Sequence, residues 1–222
     1  MSEPIDWEAF WQPIELSLRV ALTASPIVLV AGALAAWLMA KRRFPGKALL
    51  ETVFLLPLVL PPSVVGFVLL VSLGRNSPIG TAIERLFGEP IVFSWWAAAV
   101  ASIVVAFPLA YQTLKTGFAA VDGDLEDSAR SMGARERQVF FYVTLPLTWR
   151  FVVSAAILGF ARSLGEFGAT LMIAGNIPGK TQTVPTAIYI AVESGKTAAA
   201  WYWTTAIVGI AFVLLFAAGR QK

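Results

Sequence analysis

The sequence contains neither cysteine nor histidine. These absences exclude disulfide bonds, thiol nucleophiles, imidazole bases and the zinc sites that such ligands build. These absences make an enzymatic function less favoured, but they do not exclude it. We therefore expect no catalytic residue, no metal site and no cofactor in this chain.

Charge is also scarce, because only 14% of the residues are charged and 57% are hydrophobic, whereas an ordinary soluble domain carries about 25% charged residues. A helix of roughly 20 apolar residues crosses a hydrocarbon core of about 30 Å. The sequence offers five such segments, at residues 14–40, 49–73, 92–114, 151–174 and 201–218. It predicts an all-α integral membrane protein of a single domain, residues 1–222, with about five transmembrane helices.

Lysine and arginine are concentrated in alternate connections between the segments. One set of connections, with the C-terminal tail, holds eleven of them, and the other set holds four. Basic residues favour the cytoplasmic side of a membrane, so the N-terminus is expected outside and the C-terminus in the cytoplasm. The acidic head, with Glu3, Asp6 and Glu8, lacks the basic start of a cleaved signal peptide. All eight tryptophans lie near predicted segment ends, as expected at a membrane interface.

Prolines interrupt the second segment, which contains Pro57, Pro61 and Pro62. Each proline removes a backbone donor and clashes with the preceding helical turn. Irregular backbone at membrane depth persists only where protein or a watery cavity covers it. Pro61 and Pro62 are therefore candidates for a gate or a transport path, although prolines also bend membrane helices simply for packing.

The fourth segment carries two opposite charges, Arg162 and Glu166, four residues apart. On one helix they would share a face and could pair. Arginine near the middle of a bilayer costs roughly 2.5 to 3.5 kcal/mol on insertion scales, so a paired, inward-facing arrangement is expected. Two interpretations stay open: the pair holds helices together, or it lies along an anion path.

One motif resembles a nucleotide site but fails on spacing. The segment GNIPGKT, residues 175–181, would need a glycine where Ala174 stands to form a P-loop. It also follows a membrane segment rather than a strand. We expect ATP to be hydrolysed by a partner protein and not by this chain.

A polar stretch at residues 122–146, DGDLEDSARSMGARERQVFFYVTLP, separates the third and fourth segments. Asp122 or Asp124 can cap a helix there, and Gly133 can end it in the left-handed conformation. Leu125, Ala129 and Met132 share one face. The charged side chains Glu126, Arg130 and Arg137 are then expected to be free for polar contacts. The pattern predicts a short cytoplasmic helix that contacts a soluble partner.

This stretch resembles a loop in the permease subunits of ATP-binding-cassette importers, which has the form EAA-x3-G-x9-I-x-LP. In this sequence Asp replaces the Glu of the motif, Ser replaces its first Ala and Val replaces its Ile, while the spacing is unchanged. The matching positions are Asp127, Ser128, Ala129, Gly133, Val143, Leu145 and Pro146. The resemblance implies that these residues, with Glu126 as a second acidic group, couple the chain to an ATPase.

The resemblance extends over nearly the whole chain, through FPGKALLE, LPLVLPPSVVGFVLLVSLGR, FARSLGEFGAT and GNIPGKTQTVPTAIY. These segments look like those of molybdate importer permeases, with sulfate permeases as cousins. The resemblance implies the type I importer permease fold in a bacterial inner membrane, a homodimer, two cytoplasmic ATPase subunits and an external molybdate-binding protein. Tungstate or sulfate stays open as the substrate. A secondary transporter driven by an ion gradient is the less favoured class, and no nucleic-acid partner is expected.

Overall fold

The computed structural model describes residues 7–42 and 44–219. Glu3, Asp6, Arg43, Arg220 and Lys222, which entered the predicted charge pattern, lie outside the described residues. Within those ranges the chain is helical and contains no strand. The helices are α1 (Trp7–Lys41), α2 (Lys47–Val59), α3 (Pro62–Leu73), α4 (Pro78–Phe87), α5 (Trp95–Ala119), α6 (Gly123–Ser131), α7 (Glu136–Val139), α8 (Leu145–Leu147), α9 (Trp149–Leu164), α10 (Gly168–Ala174), α11 (Val184–Glu193) and α12 (Thr197–Gly219). A π-helical segment, Phe140–Thr144, joins α7 to α8.

Three of these helices, α1, α5 and α12, are each long and apolar enough to cross a membrane. Two bent pairs pass the same test, so the described residues provide three to five spans. The prediction of an all-α membrane protein is confirmed, and the predicted five spans correspond to counting each bent pair as one.

The second predicted segment is bent by 113° between α2 and α3. Pro61 lies at the bend with extended backbone, and Pro62 is the first residue of α3, where a missing N–H costs nothing. Pro57 is accommodated inside α2. The prediction that this segment is not a straight helix is confirmed.

The fourth predicted segment was expected to be continuous over residues 151–174, and this expectation is wrong. Helix α9 ends at Leu164, and α10 begins at Gly168. Glu166 lies in the interruption, where its side chain accepts a hydrogen bond from the backbone N–H of Ala169 at 2.8 Å. This contact helps begin a new helix instead of extending the old one. The GNIPGKT turn follows α10, again without a strand.

Helix α5 forms the centre of the bundle, with α1 and α9 packed against it. Its buried face is rich in small residues, including Ala97, Ala101, Ala106 and Ala110, all with no exposed surface. Gly117 brings α5 so close to α9 that an added Cβ would lie 2.6 Å from the Cβ of Phe151. Small residues at helix contacts are the expected means of close packing in membranes.

The connections fall at two ends of the bundle. An ion pair between Lys41 and Glu126 brings the end of α1 to helix α6, and we call this side the loop end. At the opposite end, the indole N–H of Trp203 donates to the backbone carbonyl of Phe10 at 3.0 Å. There the backbone N–H of Val184, at the start of α11, donates to Ser17 Oγ at 2.8 Å.

Candidate functional site

The polar stretch 122–146, which we call the docking loop, contains the predicted short helix. Asp122 caps α6, because its Oδ1 accepts a hydrogen bond from the backbone N–H of Asp124 at 3.0 Å. Gly133 ends the helix with a φ of 88°. Its N–H donates to the carbonyl of Arg130 at 2.9 Å, and the N–H of Ala134 donates to that of Ala129 at 3.1 Å. This pair of bonds is a Schellman motif, so the predicted helix and its glycine stop are both confirmed.

The outward face of α6 is apolar and unprotected. Leu125 is 50% exposed and Met132 is 88% exposed, and Ala129 lies half-buried on the same side. Large exposed apolar side chains beside charged ones are typical of a surface that contacts another protein.

Glu126 was expected among the free polar side chains, and the structure instead buries it, with 3% of the residue exposed. Its Oε2 accepts a hydrogen bond from Lys41 Nζ at 2.7 Å. Its Oε1 accepts a hydrogen bond from Thr144 Oγ1, also at 2.7 Å. Two donors from distant parts of the chain satisfy the carboxylate, which is why it is tolerated inside. Glu126 therefore joins α6 to α1 and to the segment that leads into α9.

Arg130 forms ion pairs with three acidic groups of the docking loop, Glu126, Asp127 and Glu136. It donates to Asp127 Oδ1 at 2.6 Å and to Glu136 Oε1 at 2.7 Å. The hydrogen bond from Arg130 is the largest effect on Glu136 and holds the pKa of that carboxyl below its usual range. The Asp127 side chain is 74% exposed. Asp127, at the position of the motif's glutamate, is thus at the surface, whereas Glu126 is part of the interior.

The remaining motif positions follow the same division between surface and interior. Ser128 and Pro146 are exposed, and Leu145 is half-buried. Beside them Thr148 Oγ1 donates to the backbone carbonyl of Thr144 at 2.8 Å, and both threonines are buried. The end of the docking loop is therefore fixed to the start of α9.

The second predicted constellation is the pair Arg162 and Glu166. Arg162 lies in the last turn of α9, and its Nη1 is 2.8 Å from Glu166 Oε2. The N–H directions are not aligned with that oxygen, so the contact is an ion pair without a hydrogen bond. The predicted pairing is present, but Glu166 lies beyond the helix and not on its face.

The two interrupted helices meet at their interruptions. An added Cβ on Gly168 would lie 2.9 Å from the Cβ of Pro62, so α10 and α3 begin in contact. A cavity of about 370 Å³ lies there. We call it the bend site. It is lined by Pro62, Ser63, Arg162, Gly165, Glu166, Phe167 and Gly168. The Arg162 side chain is 30% exposed in this region, while that of Glu166 is 1% exposed. Pro61 shapes the bend without lining the cavity.

Sequence analysis did not single out a third cluster, formed by Glu51, Tyr111 and Lys115. Lys115 forms an ion pair with Glu51, and Tyr111 Oη donates to the same carboxylate at 3.3 Å. Glu51 lies 60 residues from Tyr111 and 64 residues from Lys115 in the sequence, so no local spacing links the carboxylate to its two partners. The one signal available in the sequence was that Glu51 and Lys115 each lie near the end of a predicted apolar segment.

Comparison with known proteins identifies the family. Residues 29–220 match the family of binding-protein-dependent transport system inner membrane components. YvgM of Bacillus subtilis (strain 168) is 52% identical, over 96% of this chain and 94% of that protein. The molybdenum transport system permease protein ModB of Escherichia coli (strain K12) is 44% identical, over 92% of this chain and 89% of that protein.

A solved structure shows the same fold at low sequence identity. The inward-facing MetNI methionine ABC transporter aligns with a TM-score of 0.68 over 99% of this chain and 97% of the compared chain, at 18% identity. The helices, their interruptions and the docking loop thus form the type I importer permease fold. The chain belongs to the family of binding-protein-dependent transport system inner membrane components.

Proposed function

We propose that this chain is the molybdate permease of an ATP-driven importer and works as a homodimer. Membership in the family makes the chain a multi-pass membrane subunit that acts with ATPase subunits and a binding protein. The observation that carries the proposal is the docking loop, whose motif spacing coincides with an exposed apolar face on α6. The similarity to ModB supports molybdate as the substrate.

The loop end lies in the cytoplasm in this proposal, and the N-terminus lies outside. Lys41, Arg42, Lys47 and the basic residues of the docking loop share this end, and the positive-inside rule supports the orientation. Two ATPase subunits, one for each permease, then contact the outward faces of the two α6 helices. The binding protein delivers its anion at the opposite end, beside α4 and α11.

The docking loop acts as a lever because of its internal contacts. Glu126 contacts Lys41 of α1 and Thr144 before α9, so a displacement of α6 moves both helices together. Packed elements respond by switching between discrete arrangements and not by bending gradually. Closure of the ATPase subunits therefore changes which side of the membrane the path opens to.

The bend site is the proposed gate region of the path. Irregular backbone at membrane depth is expected where it lines a cavity, and two such interruptions meet there. Arg162 offers a cation whose charge Glu166 partly offsets, which favours brief contact with an anion over tight binding. Pro61 and Pro62 fix the bend that leaves room for it.

Labelled molybdate uptake tests the proposal in cells that carry only this importer, with unlabelled tungstate and sulfate as competitors. We expect tungstate to compete strongly and sulfate weakly. If sulfate competes as well as tungstate does, the molybdate assignment is wrong. Uptake that follows an ion gradient in the absence of ATP would instead favour a secondary transporter.

A further inference from the structure

The ion pair between Lys115 and Glu51 connects the last turns of α5 to the first turns of α2, at the loop end. The Lys115 side chain is 31% exposed and that of Glu51 is 25% exposed. The pair is therefore neither sealed in the bundle nor fully solvated. Both side chains therefore keep an open side.

That open side is a cavity of about 590 Å³. Gln112, Lys115 and Thr116 line it from a single face of α5, and Glu51 lines it from α2. Lys115 is the only cationic residue among those that line it. The Gln112 amide adds N–H donors about one helical turn from Lys115. The Thr116 hydroxyl lines the same face but donates to the backbone carbonyl of Gln112 at 3.0 Å. These groups suit an anion that accepts several hydrogen bonds.

The volume fits a hydrated anion better than a bare one. A water molecule occupies about 30 Å³ of liquid, so the cavity holds a tetrahedral oxyanion together with several waters. A site that keeps part of the hydration shell binds weakly and releases easily. This property is useful near the end of a transport path.

The cavity is lined by Glu51 near the start of α2, and the bend site lies just beyond the end of α2, across the bend. The rise from Glu51 to Val59, the last residue of α2, is about 12 Å. Helix α2 contains no fully buried residue, and it packs against the core through Phe54 and Leu55. An anion that leaves Arg162 toward the loop end therefore meets the Lys115 ammonium beside the first turns of α2, the helix that begins at Lys47.

We propose that Lys115 and Glu51 form a second oxyanion subsite, an exit subsite between the bend site and the cytoplasm. The assignment rests on the proposed function, because it takes the substrate to be a tetrahedral oxyanion and the loop end to be cytoplasmic. An ammonium group has three donors, and Glu51 occupies part of that capacity. The remaining donors contact the anion, while the negative charge of Glu51 keeps the contact weak. Conduction requires sites that are favourable enough to enter and weak enough to leave.

The absence of cysteine from the sequence provides a direct test. Thr116→Cys places the permease's single thiol at the cavity. The complex of permease and ATPase subunits is prepared in lipid nanodiscs, and a negatively charged thiosulfonate modifies the thiol. The rate is followed by the mass of the intact permease chain, with chloride replacing molybdate at constant ionic strength. Size-exclusion chromatography checks that each variant remains assembled.

We expect molybdate to slow the modification of Thr116→Cys. Adding Glu51→Gln should lower the half-protecting molybdate concentration roughly tenfold, because one nearby negative charge is removed. Adding Lys115→Gln should abolish protection, and the double change Glu51→Gln with Lys115→Gln should abolish it while keeping the pair neutral. Glu84→Gln is the matched control. It breaks the exposed ion pair in which Arg75 Nη2 lies 3.4 Å from Glu84 Oε1, at the end of the bundle opposite the loop end. It should leave protection unchanged.

The subsite is wrong if protection persists in the Lys115→Gln complex, or if Glu51→Gln leaves the half-protecting concentration unchanged. Molybdate uptake by the same complex in vesicles separates this failure from failure of the proposed function. If the complex takes up molybdate but molybdate does not protect the thiol, the subsite is wrong and the proposed function stands. Protection by tungstate or sulfate without molybdate uptake removes the substrate assignment and keeps the oxyanion subsite.

Discussion

Lys41 Nζ lies 2.7 Å from Glu126 Oε2 and ties the last residue of α1 to the buried side of α6. Because α6 presents Leu125 and Met132 outward on its other side, the same short helix has one apolar face for a partner and one ionic contact with the bundle. A push on the outer face is therefore transmitted to the spans through the Glu126 carboxylate and through the ring of Phe140, which packs against Trp37 of α1 and Phe118 of α5.

Glu126→Gln tests this connection. The amide keeps the size of the side chain and can still accept a hydrogen bond from Thr144, but it no longer attracts Lys41. Hydrogen bonds to charged groups contribute about 1.5 to 3 kcal/mol, so the purified permease should unfold at lower temperature. Uptake per ATP hydrolysed should fall. Glu84→Gln, which breaks an exposed pair, is the control and should leave both measurements unchanged.

Gly133→Ala tests the shape of the docking loop. Gly133 has a φ of 88°, and an added Cβ would meet no atom within 4 Å, so the cost is conformational, about 1 to 2 kcal/mol. We expect an intact permease in the membrane with ATP hydrolysis uncoupled from uptake. Gly123→Ala is the matched control, because it adds the same methyl group in open space without a positive φ. Equal uptake by the two variants would contradict the role of the helix stop.

The helices and the bend at Pro61 were predictable because their causes are local. Apolar composition over about 20 residues and the missing proline N–H are both read directly from the sequence. The interruption after Leu164 was not predicted: Gly165 and Gly168 weaken a helix there, but glycine is also frequent in continuous membrane helices. It forms where Glu166 takes the N–H of Ala169 and where Gly168 lies against Pro62 of a distant helix.

The side-chain partners were the least predictable part of the site. Glu126 was expected to be free for polar contacts because helical spacing alone cannot show that Lys41, 85 residues earlier, reaches it. The pair of Lys115 and Glu51 was missed for the same reason. By contrast, the Asp122 cap and the Gly133 stop were predictable, because each acts within a few residues of its own position.

A double substitution tests whether the Arg162–Glu166 ion pair acts in transport or only holds helices together. Arg162→Gln alone leaves the Glu166 carboxylate buried without its cation, at a cost of about 3 to 5 kcal/mol, so assembly should fall. Arg162→Gln with Glu166→Gln removes both charges and should restore assembly, measured by size-exclusion chromatography of the complex. Uptake should stay lost in the double variant, because the path lacks its cation. Recovery of uptake with assembly would show that the pair is structural.

The ion pair of Arg130 and Glu136 predicts a dependence of stability on pH. The hydrogen bond from Arg130 holds the pKa of Glu136 below its ordinary value of 4.5. The stabilisation is therefore present above about pH 4.5 and is lost as the pH falls through the lowered pKa. The melting temperature of the unmodified permease should exceed that of Glu136→Gln at pH 7, by a small margin because the pair is exposed. The margin should vanish at acid pH, and a margin independent of pH would contradict the assignment.

The most direct test of the central claim is labelled molybdate uptake into proteoliposomes that contain the permease, its ATPase subunits and the binding protein. We predict uptake that requires ATP hydrolysis and the binding protein and that continues when ionophores collapse all ion gradients. Uptake that persists without ATP and stops when the gradients collapse would contradict the assignment of this chain as the permease of an ATP-driven molybdate importer.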